Sequence, residues 1–174
     1  HALCEKPIDV KLDKADEAIA AAEKAGVALG GIYQQRFVPG PQKAKRAIEA
    51  GYFGKIVHVH CETPWYRAQS YYDQDAWRGT WALDGGVLGN QSPHMIDRLT
   101  WLGGDVEEVL HAELRCGLDR KIEAETVAAV IVRLNGGAIG TITATTLAYD
   151  GMPQRVLVCG TEGSCAFSGD DLTF

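Results

Sequence analysis

Apolar residues recur at Leu12, Ala15, Ile19, Ala22 and Ala25 with charges between them, so residues 11–26 predict an amphipathic surface helix that Gly26 stops. The apolar run 27–33 follows as a strand, and the opening His1-Ala-Leu-Cys4 has the same character. Residues 1–33 therefore read as strand–helix–strand, the unit that joins parallel strands. Pro39 and Pro41 open a second helix over residues 40–50, ended by Gly51. Residues 55–65 alternate as a strand, whereas 65–86 keep no period and are rich in aromatics. Another helix ends near Leu102, before Gly103-Gly104.

Past that point the period changes to two. Strands are predicted at 106–116, 126–134 and 138–149, with short ones at 155–159, 163–168 and 171–174. Asn135-Gly136 is a hairpin signal, because both residues tolerate positive φ. Short connections imply an antiparallel meander. The second part is thus α+β: an open, mainly antiparallel sheet with helices on one face. The boundary with the first part falls near residues 34–38, and neither an internal repeat nor a low-complexity linker is present.

Composition narrows the function. The chain has 174 residues, 46% hydrophobic and 23% charged, enough for a core without staples. A net charge of −6 argues against general binding to nucleic acid or anionic membranes. No apolar run approaches the ~18 residues of a membrane span, and no signal-peptide pattern opens the chain. Five scattered cysteines, none in a CxxC, read as buried free thiols in a reducing cytoplasm. Without a secretory signal the sequon Asn90-Gln91-Ser92 carries little meaning. The chain starts at His1 in what reads as the middle of a strand, so a fragment of a longer protein is expected.

Four stretches carry candidate chemistry. Glu5-Lys6-Pro7 lies at the carboxyl end of the first strand, where α/β folds place ligands. Lys6 either donates to a substrate oxygen there or is a solvated loop residue. Gln34-Gln35-Arg36-Phe37, after the second strand, offers donors to a hydroxylated or anionic ligand, or forms a polar junction. Residues 64–81, with Trp77, Arg67, Arg78, Asp73 and Asp75, suit a sugar-like substrate or a loop pinned by its aromatics. His58 and His60 share a strand face, but Cys61 points the other way and no further ligand completes a shell, so no metal site is expected.

The fullest stretch is Asp84-Gly-Gly-Val-Leu-Gly-Asn-Gln-Ser-Pro-His-Met-Ile-Asp97. Proline is tolerated at the first helical position, so Ser92 reads as an N-cap with the helix running from 93 to 102. The alternative is a start near Val87 with a kink at Pro93. With the first start His94 lies at the positive end of the helix dipole, which disfavours imidazolium and suits a base. Asp97 is its neighbour one turn on, Asn90 precedes it, and Met95, Leu99 and Leu102 mark the packing face. From these residues alone His94 is either a base or a satisfied structural histidine.

HALCEKP, then a helix, a strand ending in QQRF, and YYDQDAWRGTWALDGGVLGNQSPHMIDRLTWL together resemble the glucose-fructose oxidoreductase/inositol dehydrogenase (Gfo/Idh/MocA) family, end to end. The resemblance implies a Rossmann domain that binds NAD or NADP, of which residues 1–35 are the remnant. Residues 36–174 would be the catalytic and oligomerisation domain. It implies a hydride transfer between nicotinamide and a secondary alcohol of a sugar, inositol or related polyol. His94 would be the acid/base and Lys6 would orient the hydroxyl beside the nicotinamide. Asn90, Asp97, Arg36, Trp77 and Arg78 are expected at the substrate, and Glu5, Lys6, Pro7 and Gln34 at the cofactor.

Two departures stand out. Many members carry an aspartate four residues before the histidine where this chain has Asn90, so any carboxylate partner of His94 must be Asp97 or Asp84. The G-x-G-x-x-G turn and the ribose-reading acid are not in these 174 residues, and the closing C-terminal segment ends early at Phe174, so the chain alone is expected to be inactive. A homodimer or homotetramer through the face carrying Ile139, Thr141, Thr143 and Thr145 is expected. The rival expectation is a non-catalytic sugar-binding or assembly module with the family fold.

Overall fold

The computed structural model describes residues 1–168 and 171–174. Strand β1 (Ala2–Glu5), helix α1 (Leu12–Lys24) and strand β2 (Leu29–Ile32) form the expected strand–helix–strand unit. β1 and β2 pair in parallel as a two-stranded sheet. A 3₁₀ turn (Gln34–Phe37) leads to α2 (Pro39–Glu49), strand β3 (Ile56–Pro64) and a one-turn helix α3 (Gln69–Tyr72) that the pattern did not reveal. A π turn (Val87–Gln91) precedes α4 (Pro93–Gly103). Strands β4 (Val106–Cys116), β5 (Glu125–Leu134), β6 (Ile139–Thr145), β7 (Arg155–Gly160), β8 (Ser164–Ser168) and β9 (Asp171–Thr173) follow.

The second sheet has seven strands in the order β4-β5-β6-β3-β7-β8-β9. All its pairs are antiparallel except β3 with β6, so a continuous meander is not what forms. Two local meanders are instead joined through β3. The β5–β6 hairpin closes by Leu134 N–H to Ala138 O at 2.8 Å. Its positive φ values fall on Gly136 and Gly137, not on Asn135. β6 stops at Thr145 rather than at the expected 149.

One sheet face is covered. Met95, Leu99 and Leu102 of α4 and Ala44 of α2 pack on Val59, Cys61, Val132, Ile142, Val158 and Phe167. Gly103 ends α4 in a tight spot: a Cβ there would stand 2.6 Å from Val59 Cγ2 and 2.9 Å from Leu134 Cδ1. The opposite face is open, with Ile131, Ile139 and Thr143 exposed. β4 is exposed along its whole length on both sides. All five cysteines are free; Cys61 and Cys165 are buried as expected, with burial pushing the Cys61 thiol up to about 12, whereas Cys116 is exposed. No helix among the described residues is long and apolar enough to cross a membrane.

Candidate active site

Lys6 stands just past β1, and its ammonium crosses to the other sheet's layer. Nζ donates to the Asn90 carbonyl at 2.6 Å and lies 3.3 Å from Asn90 Oδ1. The Lys6–Pro7 peptide is cis. Burial lowers the Lys6 pKa, against the charges of Asp84 and Glu5, which raise it.

Asn90 is presented by the π turn, a distortion that recurs at functional positions. Gly85 (φ +73°) and Gly86 (φ +69°) let the chain enter that turn. The Asn90 amide donates to Asp84 Oδ1, whose other oxygen accepts Gly79 N–H at 2.8 Å. Leu88 N–H donates to the buried Glu125 carboxylate at 2.9 Å. Both expected helix starts are thus represented: the turn begins at Val87, and the regular helix begins with Pro93 at its first position. Ser92, however, does not cap by its side chain; its backbone is helical and its buried Oγ has no partner among the described residues.

His94 lies in the first turn of α4 and is 8% exposed. Tyr33, just after β2, meets its ring edge-on with centroids 5.9 Å apart. The same tyrosine has its own pKa raised by burial and by the charge of Asp97. Burial lowers the His94 pKa, and nearby Lys6 lowers it further, while Asp97 opposes them. Neutral imidazole is therefore favoured. His94 Nδ1 is buried and has no hydrogen-bond partner among the described residues.

Neither expected carboxylate is bonded to His94 among the described residues. Asp97 is held by Arg36 in a bidentate pair, Nε to Oδ2 at 2.8 Å, and that bond raises the Arg36 pKa. Asp84 is occupied by Asn90 and Gly79. A cavity of about 310 Å³, lined by Pro7, Tyr33, Leu88, Pro93, Ile96 and Asp97 among others, opens beside these groups. A larger one of about 770 Å³ lies between α2 and β8 and shares no residue with them; chemistry, not size, singles out the smaller.

The structure thus brings together Lys6, Pro7, Arg36, Asn90, His94 and Asp97. It leaves Glu5 and Gln34 exposed, without hydrogen bonds to that group. Trp77 and Arg78 also stand apart. Arg78 lies 4.6 Å over Trp77 and 4.3 Å over Tyr71 and pairs with Asp75. Arg67 lies between Trp65 and Tyr71 and donates to Gln91, whose amide donates to Tyr71 Oη at 3.0 Å. The aromatic loop is therefore pinned to the end of the π turn. His58 and His60 share the Thr141 hydroxyl on the open face, with Cys61 on the other side.

Tyr33, Gln91 and Glu125 were missed. Tyr33 and Gln91 adjoin residues already singled out, but nothing local distinguishes Glu125 from an ordinary acid before a strand.

Fold and side chains define an α+β domain against a parallel strand–helix–strand unit, with a lysine and a neutral histidine at their seam. The family profile described as GFO/IDH/MocA C-terminal domain matches residues 42–166, and the chain belongs to this family. The myo-inositol 2-dehydrogenase of Thermotoga maritima is 28% identical over 169 residues, 94% of this chain and 48% of that protein. The uncharacterized oxidoreductase YrbE of Bacillus subtilis is 32% identical over 174 residues, covering 95% and 48%. The WlbA dehydrogenase of Bordetella pertussis, solved with NADH and UDP-GlcNAcA, superposes with a TM-score of 0.92 at 35% identity, covering 99% of this chain and 54% of that one. The chain thus spans about half the length of the curated relatives it matches.

Proposed function

We propose that this chain carries the catalytic side chains of an NAD(P)-dependent oxidoreductase acting on a secondary alcohol of a sugar, inositol or related polyol. The observation that carries this reading is the convergence of Lys6 and the neutral His94 on one seam, with Asn90 between them. The relatives that hold NADH and UDP-GlcNAcA, or are named for inositol, support the substrate class. On this reading residues 1–35 end a dinucleotide-binding domain and 36–174 form the catalytic domain.

The apolar wall of Pro7, Leu88, Pro93 and Ile96 beside Tyr33 fits the flat nicotinamide end of such a cofactor. When bound, NAD(P) supplies the acceptor carbon for the hydride that leaves the carbinol C–H. Lys6 Nζ donates to the substrate oxygen and fixes its place. His94 Nε2 accepts the O–H proton, for which a neutral ring is required. Asp97, already bound to Arg36, orients α4 against the turn after β2 rather than serving as the partner of His94.

The lack of a carboxylate on His94 among the described residues is the one observation that favours the rival, a non-catalytic sugar-binding module. His94→Ala in the full-length protein separates the two, with myo-inositol and UDP-GlcNAcA as probes and NADH formation as readout. We expect turnover to fall about 10²- to 10⁴-fold with NAD(P) affinity kept. Unchanged turnover, or none in the parent, sinks the enzyme reading. We also propose that the open sheet face joins copies into a dimer or tetramer.

A further inference from the structure

The steps above leave one buried carboxylate without a task. Glu125 opens β5, is 2% exposed and pairs with no cation among the described residues. Placing a carboxylate there is costly, so something must offset it. Oε1 accepts the Leu88 N–H at 2.9 Å. Oε2 has no hydrogen-bond partner among the described residues and lies against Gly86, where any Cβ would collide with it. Gly86 is thus bare for two reasons: its φ of +69° and the acid beside it.

What the carboxylate holds is the second residue of the π turn, and the fourth is Asn90. The Asn90 carbonyl receives Lys6 Nζ. The start of β5 reaches the same place by a second route. Glu123 and Ala124 N–H both donate to the Gly79 carbonyl at 2.9 Å, and Gly79 N–H donates to Asp84, which holds the Asn90 amide. One stretch of chain, 123–125, therefore braces the backbone of the turn and the side chain it presents.

We propose that Glu125 is a positioning residue: through Leu88 N–H it fixes the π turn, and so the Asn90 carbonyl against which Lys6 is held. The proposal rests on the reading of Lys6 as the group that holds the substrate oxygen. A purely structural Glu125 would affect stability alone, whereas a positioning one must also alter Lys6. Without its acceptor, the ammonium loses a bond that favours its charged form.

The test uses the full-length protein with Glu125→Gln and Glu125→Ala, and two readouts. Amide hydrogen exchange over Val87–Gln91 should quicken at least about tenfold in Glu125→Gln while α4 stays protected. On the probe the parent oxidises, kcat/KM should fall about 10- to 100-fold, with its alkaline limb moved to lower pH. Glu125→Ala should show both effects more strongly. Unchanged exchange over 87–91 in both variants overturns the proposal, as does an unmoved alkaline limb. If the parent oxidises neither probe, the catalytic reading fails by itself. Exchange then decides alone whether Glu125 holds the turn.

Discussion

On the proposed reading His94 would take its proton with no carboxylate bonded to it among the described residues. The positive end of α4, burial and the Lys6 ammonium all oppose imidazolium, and only Asp97 and Glu5 act the other way, from a distance. His60, half-buried on the open face, is likewise pushed down by burial. Both histidines thus bind fewer protons folded than unfolded just below pH 6.5. Their contribution to stability is in place above that value and is lost as pH falls towards their folded values. Urea unfolding midpoints should be lower at pH 5.5 than at 7.5, and the gap should narrow in His94→Asn; a gap equal to the parent's contradicts the assignment. That Lys6 and His94 come to one seam was legible because two separated motifs reinforced each other. Arg36 and Asp97 were legible only as types, since sequence does not reveal that they are bonded to each other. Glu125 was invisible, because its partner is a backbone N–H 37 residues away.

Helix α4 is the bridge from core to chemistry. Its inward row is fully packed, Leu99 and Met95 at 0% exposure, while its first turn carries His94. Leu99→Ala should destabilise the fold by about 2–5 kcal/mol. Leu12→Ala on α1, 85% exposed, should stay within about 0.5 kcal/mol. Thermal or urea unfolding of the pair checks this, and equal losses would refute the packing assigned to α4. That packing could be read from the spacing of Met95, Leu99 and Leu102. The π turn could not: a proline explains a new start at residue 93, but the turn before it depends on Glu125 and Arg67 from distant segments as well as on nearby Asp84. The parallel β3–β6 pair was hidden for a similar reason. Alternation identifies a strand and its faces but not its neighbour.

The sheet separates two surfaces by their work. One face carries the helices and the candidate site, and the other presents Ile131, Ile139 and Thr143 to solvent. If that face joins copies, light scattering of the full-length protein should give a dimer or tetramer. Ile139→Lys with Thr143→Lys should then return it towards monomer; a monomeric parent at high concentration would end the idea. The order of the strands has a consequence for how the chain is made. β3 leaves the ribosome early, yet both its neighbours, β6 and β7, come later; His60 meets Thr141 across 81 residues. At synthesis rates of roughly 5–20 residues per second, β3 waits about 4–16 seconds with both edges unpaired. The central strand of the finished sheet is therefore its longest-exposed strand during birth, and the half-buried histidines and Glu62 along one of its faces are the polar groups it carries through that interval.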